Sequence, residues 1–166
     1  MAGFEETLEA LNVAHVRYVV VGGLAVVLHG HARLTADLDL VVDLAPDEAR
    51  RAIEALSSLG LRPTVPVDPI EFADAEVRAR WSRENDMLVF SMVDPEDPVH
   101  QVDLFVEEPI EFDALWSRSE VVSLGRTTAR IASIGDLVRM KRAAARPQDL
   151  MDIDALEAIV RERREP

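Results

Sequence analysis

Three acidic residues and a pair of glycines are spaced so that they could do chemistry together. Asp37 and Asp39 are separated by one residue in the run DLDLVVD, Asp103 lies in the run VDLF, and Gly22 and Gly23 directly follow the apolar run VRYVVV. Side chains two residues apart in a strand point to the same face, so Asp37 and Asp39 would lie side by side, roughly 6–7 Å apart. Carboxylates at that spacing can close around one or two divalent cations.

Asp103 is flanked by Val102 and Leu104 and is the only acid in an apolar strand. If that strand neighbours the strand of Asp37 and Asp39, three carboxylates converge, and a bound cation is the usual way to keep them all ionised. Ligation by oxygen alone suits Mg²⁺ or Mn²⁺. The structural alternatives are an exposed strand end that carries two solvated acids, and a pairing of Asp103 with a buried arginine such as Arg33.

The glycine pair has its own chemical interpretation. A glycine turn between a strand and a helix lets a ligand approach the backbone closely, and a helix start favours a phosphate group. A plain tight turn is the alternative for Gly22 and Gly23 taken alone.

The combined pattern is that of a known superfamily. A glycine pair, thirteen intervening residues, the triplet DLD and the later triplet VDL resemble the signature of the polymerase-β-like nucleotidyltransferases. The string GGLAVVLHGHARLTADLDLVVD is similar to small bacterial members, which include aminoglycoside and lincosamide nucleotidyltransferases and the AbiEii-type toxins of toxin–antitoxin systems. Residues 133–156 also resemble the helical C-terminal part of such proteins, in which a lysine precedes an R-x-x-D-x-x-D run.

The resemblance implies a reaction and a set of roles. An NMP is transferred from an NTP to an acceptor hydroxyl group with release of pyrophosphate, and Mg²⁺ or Mn²⁺ is the cofactor. Asp37 and Asp39 would hold the metal on the triphosphate. Asp103 would complete a second metal site and help to deprotonate the acceptor. Gly22 and Gly23 would receive the β- and γ-phosphates.

The sequence departs from the superfamily pattern at one position, and this departure suggests further nucleotide-binding candidates. Leu24 stands where many superfamily members carry a serine whose hydroxyl touches a phosphate. Arg33, Thr35 and Lys141 are the candidates to supply phosphate contacts instead. Their structural alternatives are a role of Arg33 and Thr35 in orienting their loop, and a role of Lys141 as a surface lysine with its stem on apolar groups.

Other polar residues are predicted to be structural. Arg146, Asp149 and Asp152 fit a helix cap with i,i+3 salt bridges. His29 and His31 are two residues apart, so they do not share a helix face, and a packing or loop role is expected.

A second function remains open at the level of sequence. A catalytically weak nucleotidyltransferase-fold protein could act as the partner-binding component of a toxin–antitoxin-like pair. The three carboxylates favour the enzyme, whereas Leu24 and the short chain leave room for the alternative. The acceptor is a small molecule, a protein or a tRNA end, and a homodimer mate or protein partner has room to complete the site.

The net charge of the chain argues against several classes of binding partner. The chain has 166 residues with 18 basic and 31 acidic side chains, a net charge of −13, which disfavours duplex DNA, long RNA and anionic lipid. Residues 1–117 hold 23 acidic and 8 basic residues, while residues 118–166 hold 8 acidic and 10 basic residues.

The sequence also indicates the compartment of the protein. Without cysteine there are no disulfides or thiolate metal sites. No apolar stretch is long enough for a membrane span and the start lacks a signal-peptide pattern, so a cytoplasmic protein is expected.

Alternating strand and helix patterns must position these residues. They predict an α/β (α+β) domain, and the resemblance implies the nucleotidyltransferase fold, with a mixed sheet flanked by helices. The predicted units are a nucleotidyltransferase core over 1–132 and a C-terminal helical segment over 133–166 packed on the same domain. The predicted strands are 16–21, 37–43, 86–93, 99–106, 120–124 and 127–131. The predicted helices are 4–13, the segment from 24 to about 30, 47–59, 73–83, 133–144 and one that starts at Pro147.

Three finer expectations concern the same elements. The turn DPEDP joins the strands 86–93 and 99–106 into a hairpin. Ser133 and Asp136 form a capping box with aspartate at its third position. The last helix faces the core with the apolar residues Leu150, Ile153, Leu156 and Ile159.

Overall fold

Seven strands form one mixed sheet in the order β3-β4-β5-β2-β1-β7-β6. This computed structural model describes residues 3–165. The strands are β1 (Tyr18–Val21), β2 (Asp37–Val42), β3 (Arg62–Pro63), β4 (Val89–Asp94), β5 (Asp97–Phe105), β6 (Glu120–Leu124) and β7 (Thr127–Ile131). The predicted mixed sheet flanked by helices is confirmed.

Among residues 3–165, six of the seven α-helices lie close to predicted segments, whereas the helix Phe112–Arg118 and the 3-10 helix were not predicted. The α-helices are α1 (Phe4–Val13), α2 (Gly22–Leu28), α3 (Pro46–Ser58), α4 (Ala75–Asn85), α5 (Phe112–Arg118), α6 (Ile134–Ala144) and α7 (Pro147–Arg164), with a 3-10 helix at Pro69–Ala73. Among the described residues, no helix is sufficiently long and apolar to cross a membrane.

Strand β2 lies in the middle of the sheet and fixes the register of its neighbours. It runs antiparallel to β1, with Val21 opposite Asp39, and parallel to β5, with Asp39 opposite Asp103. On the far side of β5, the antiparallel strand β4 places Ser91 opposite Asp103. The strand that carries Asp103 therefore neighbours the strand that carries the acid pair, as the convergence of the three carboxylates requires.

Two element boundaries differ from the prediction in ways that affect the site. Helix α2 begins at Gly22, so the glycine pair is the first turn of the helix and not a loop before it. In the hairpin, Asp94 pairs with Asp97, and the register shifts between Val93 and Asp94. The turn is shorter than DPEDP because β5 takes up its last residues.

The C-terminal helices share the apolar core of the sheet. Leu137 of α6 and Ile153 and Leu156 of α7 are buried in it. The expectation that Leu150 joins them is wrong, because Leu150 is 53% exposed. Helix α7 also carries two buried acidic residues, Asp149 and Asp152.

The start of α6 is capped by half of the predicted capping box. Ser133 Oγ accepts a hydrogen bond from the backbone N–H of Asp136 at 3.2 Å. The Asp136 carboxylate does not return to Ser133 and instead receives two hydrogen bonds of 2.9 Å from Arg118. This ion pair fastens α6 to the end of α5.

Candidate active site

The three predicted carboxylates occupy neighbouring positions on one face of the sheet. Asp39 and Asp103 are directly opposite one another on parallel strands, and Asp37 is opposite Gln101. Asp37 is exposed, Asp39 is partly buried and Asp103 is buried. Solvent exposure therefore falls from Asp37 through Asp39 to Asp103, and a ligand can reach the three acids from the side of Asp37.

The glycine turn packs directly against these acids. Gly22 has a φ of +66°, and a β-carbon on it would collide with the carboxylate of Asp39. A β-carbon on Gly23 would lie 2.8 Å from Arg33 Nη2 and 2.9 Å from Thr35 Oγ1. Gly22 needs glycine for this close approach, whereas the atoms nearest to Gly23 are the ends of flexible side chains. These contacts are with side chains of the same chain, so they support the tight turn, and the approach of a ligand stays a prediction.

The electrostatics of Asp39 show negative charge that is incompletely compensated. Burial, with the neighbouring carboxylates of Asp103 and Asp37, raises the pKa of Asp39 to about 6, although Lys141 and Arg146 act to lower it. The pKa of Asp37 is also raised, by burial and by the charge of Asp103. A cation placed among these groups would favour their ionised forms.

Asp103 is not paired with Arg33, which was its structural alternative. Its Oδ1 accepts hydrogen bonds from Ser91 Oγ at 2.5 Å and from Gln101 Nε2 at 2.8 Å. Within residues 3–165, no group of three or more His, Asp or Glu side chains is arranged to hold a metal ion. The metal role of Asp37, Asp39 and Asp103 stays a prediction.

A buried ionic network joins the loop before β2 to both C-terminal helices. Asp152 is fully buried and accepts hydrogen bonds from Lys141 Nζ at 2.8 Å and from Arg33 Nη1 at 2.5 Å on the same oxygen. Its other oxygen accepts from Gln148 at 3.1 Å. Burial acts to raise the pKa of Asp152, but the hydrogen bonds from Lys141, Arg33 and Gln148 prevail and lower it. The carboxylate is therefore held ionised.

Arg146 and Asp149 extend this network at the start of α7. Asp149 accepts hydrogen bonds from the backbone N–H and the Nε of Arg146, at 3.1 and 2.8 Å, and lies 3.6 Å from Lys141 Nζ. The predicted helix-cap and i,i+3 arrangement of Arg146 and Asp149 is confirmed. Contrary to the prediction, Asp152 does not belong to the cap; it accepts hydrogen bonds from Lys141 and Arg33 instead.

The surface-lysine alternative for Lys141 is wrong. Its side chain is only 8% exposed and is enclosed by the two aspartates. Arg33 is likewise held by Asp152, and Thr35 Oγ1 donates a hydrogen bond to the carbonyl oxygen of Asp37 at 3.3 Å. These contacts favour the loop-orienting role of Arg33 and Thr35. Both side chains also lie beside Gly23, so a contact with a phosphate stays a prediction for them.

Sequence reasoning missed this burial, although a signal was present. Positions 149, 152, 153 and 156 fall on one side of α7 at helical spacing, so the two aspartates share the face of Ile153 and Leu156. Ser91 and Gln101 were also missed. His29 does have the expected packing role, because it is buried and its Nε2–H donates to the carbonyl oxygen of Ala132 at 2.8 Å.

A cleft of about 340 Å³ opens between Asp39 and the C-terminal helices. Its polar edge is formed by Gly22, Asp39, Lys141, Arg146 and Asp149, and its walls are largely apolar. The apolar wall contains Phe105, Pro109, Ile110, Leu137 and Met140. A cleft of this kind fits a ligand with a flat or apolar part and an anionic part.

The sequence matches a known protein family over nearly its whole length. Residues 3–162 match the family described as "Nucleotidyltransferase of unknown function (DUF6036)". The chain belongs to this family of nucleotidyltransferases. No protein of curated function matches the sequence.

Solved structures share the fold of this nucleotidyltransferase. The lincomycin-bound lincosamide antibiotic adenylyltransferase LnuA is similar with a TM-score of 0.60 and 16% identity, over 92% of each chain. The structure of ANT(2")-Ia with adenylyl-2"-tobramycin gives a TM-score of 0.59 and 13% identity, over 92% of this chain and 84% of that one. An antigenic nucleotidyltransferase-like protein from Paracoccidioides brasiliensis gives 0.55 and 15%, over 90% and 72%.

Proposed function

We propose that this nucleotidyltransferase moves an NMP group from an NTP to a hydroxyl group of a small molecule, with Mg²⁺ or Mn²⁺ as cofactor. The observation that carries the proposal is the register of the central strands. It aligns Asp39 with Asp103 and places Asp39 against Gly22, at the polar edge of a cleft that also carries Lys141 and Arg146.

The chemistry of the donor groups suits a divalent cation, although their arrangement in the structure is not yet that of a metal site. The donors are carboxylate oxygens, which Mg²⁺ and Mn²⁺ prefer, and the raised pKa of Asp39 marks charge that a cation would neutralise. Asp37, Asp39 and Asp103 would hold the metal. When bound, it supplies charge neutralisation on the triphosphate and on the attacking and leaving oxygens.

The side chains of the protein itself divide the remaining tasks. Gly22 leaves room for the Asp39 carboxylate against the turn, so that this carboxylate stays at the edge of the cleft. Arg146, whose side chain is 75% exposed, can turn its guanidinium to a triphosphate, while Lys141 adds fixed positive charge behind it. Asp103 would accept the proton of the acceptor hydroxyl. The apolar wall at Phe105 and Ile110 excludes water from the reacting groups.

A small acceptor fits this site better than a polymer. The acidic body of the protein repels a polyanion, and the cleft has the size of a small-ligand pocket. LnuA is an adenylyltransferase that was solved with lincomycin, and ANT(2")-Ia was solved with adenylylated tobramycin. ATP and hydroxylated, cationic small molecules are therefore the first substrates to test.

The test uses the full chain with ATP, GTP, CTP or UTP labelled at the α-phosphate. Purified protein is incubated with each nucleotide, Mg²⁺ or Mn²⁺, and a panel that contains tobramycin, lincomycin and bulk tRNA. We expect metal-dependent transfer of label to a small molecule, and loss of at least a hundredfold in Asp39→Asn. Wild-type protein that neither binds an NTP nor transfers label with either metal would overturn the proposal. Label on tRNA alone would overturn the acceptor class.

A further inference from the structure

The carboxylate of Asp103 is held on one side only. Ser91 Oγ and Gln101 Nε2 both donate to Oδ1, at 2.5 and 2.8 Å. Gln101 Nε2 also lies 3.3 Å from Ser91 Oγ, to which it donates, so the three side chains form a closed triangle. In the part of the chain that the structure describes, no hydrogen bond to Oδ2 of Asp103 is present.

The triangle is a consequence of strand register. Ser91 is opposite Asp103 on β4, between Phe90 and Met92, which are fully buried on the other face of the sheet. Gln101 precedes Asp103 by two residues on β5 and therefore shares its face. Asp39, Asp103 and Ser91 thus form a row across three neighbouring strands, β2, β5 and β4.

Two donors on the same oxygen restrict the carboxylate in a specific way. They fix the plane of the group, and they occupy the oxygen that faces β4. Hydrogen bonds to an ionised acceptor are short and strong, so rotation of Asp103 would lose both. The unbonded oxygen, Oδ2, is left for the groups gathered at Asp39.

We propose that Ser91 and Gln101 are positioning residues for Asp103, which keep its Oδ2 directed at the cation and at the acceptor hydroxyl. The inference rests on the proposed function, because it assigns a task to Asp103 in that reaction. Neither residue lines the cleft, so each acts through Asp103. Supporting groups that orient a metal-binding carboxylate are a general requirement of such sites.

A purely structural role makes a different prediction. If the two donors only satisfied a buried carboxylate, their removal would lower the stability of the fold and leave the chemistry of the remaining folded protein unchanged. If they position Asp103, removal slows the chemical step while NTP binding persists, because Gly22, Arg146 and Lys141 are untouched.

The experiment compares Ser91→Ala, Gln101→Ala, Ser91→Thr and Asp39→Asn with the wild type. Ser123→Ala, on the edge strand β6 and exposed, is the matched control. Mn²⁺ affinity without nucleotide is measured by water proton relaxation, and kcat and KM for ATP are measured separately. We expect Ser91→Ala and Gln101→Ala each to lower kcat about tenfold, as the loss of one hydrogen bond to a charged group implies. Their KM should stay within about twofold of the wild type and their Mn²⁺ affinity should fall, while Ser91→Thr keeps wild-type values because it retains the hydroxyl.

The possible failures can be told apart. Wild-type protein whose Mn²⁺ binding does not depend on Asp39 would overturn the proposed function itself. Asp39-dependent Mn²⁺ binding that is unchanged in Ser91→Ala and Gln101→Ala, with unchanged kcat, would overturn the positioning role alone. The same conclusion follows if the variants lose only thermal stability, or if Ser91→Thr is as impaired as Ser91→Ala.

Discussion

The carboxylate of Asp39 lies where a β-carbon on residue 22 would be. Gly22 also has a left-handed φ of +66°, so two independent features require glycine at this position. The two halves of the sequence motif are therefore one packed unit, in which the strand-to-helix turn fixes the side of Asp39 that faces the cleft.

The first prediction concerns this contact. Gly22→Ala adds a left-handed alanine, which costs about 1–2 kcal/mol, and displaces the Asp39 carboxylate. We expect a measurable loss of stability in urea unfolding and at least a tenfold loss of metal-dependent NTP binding. The matched control is Gly135→Ala in the first turn of α6, where an added β-carbon meets nothing closer than 4.0 Å. An active Gly22→Ala enzyme would contradict the prediction.

A second prediction follows from the pKa of Asp39. Because the folded-state pKa is raised from 3.8 to about 6, its contribution to stability is fully present below about pH 4 and is lost as the pH rises through about 6. In metal-free buffer at pH 7.5, Asp39→Asn should therefore melt a few degrees above the wild type, and the gap should close near pH 4. Added Mg²⁺ should stabilise the wild type at pH 7.5 and not Asp39→Asn. Thermal unfolding followed by circular dichroism tests both statements, and a gap that does not change with pH would refute the first.

A third prediction addresses the buried anchor of the C-terminal helices. Asp152→Ala leaves Lys141 and Arg33 without their shared carboxylate, and breaking a buried ionic pair in this way costs about 3–5 kcal/mol. Asp154→Ala, an exposed acid two residues away on the same helix, should change stability by no more than about 0.5 kcal/mol.

A double variant separates the fold from the chemistry at this anchor. Replacing both partners, Lys141→Met with Asp152→Leu, should recover part of the stability that Asp152→Ala loses, because fewer unpaired buried charges remain. NTP binding should stay weak, since the positive charge of Lys141 is gone. Recovery of NTP binding together with stability would show that Lys141 has no role in the cleft.

A fourth prediction concerns Arg146, which is mostly exposed at the cleft edge. Arg146→Ala should raise KM for the NTP several-fold, and this effect should weaken at high salt because the contact is screened. Stability should fall by about 1–3 kcal/mol, since the buried carboxylate of Asp149 loses the side-chain donors of Arg146. Arg142→Ala, an exposed neighbour that pairs with Glu157, is the control and should leave KM unchanged.

Much of the fold was predictable from local pattern. β6 and β7 have the predicted bounds, and α1 does too, because turn residues and helical spacing delimit these segments clearly. The pairing of β2 with β5 was only a condition in the sequence argument. Register between distant strands depends on packing of the whole sheet, and no local pattern encodes that Asp39 faces Asp103.

The polar core of the C-terminal helices was the main miss. Hydrophobic periodicity assigned Leu150 to the inner face of α7, whereas the position is exposed. Asp149 and Asp152 are inside because Lys141 of α6 and Arg33 of the loop before β2 compensate their charges. A rule that places only apolar residues inside overlooks the one available signal, the helical spacing of these two acids with buried apolar residues of α7, because their charge partners lie in other segments.

The anchor at Asp152 also bears on the order in which the cleft takes its final form. Lys141 and Arg33 lie in different segments of the chain, and both donate to one carboxylate that α7 supplies. Until α7 packs on α6, neither cation has this partner. We therefore expect the edge of the cleft that carries Lys141 to be the last part of the site to become fixed during folding.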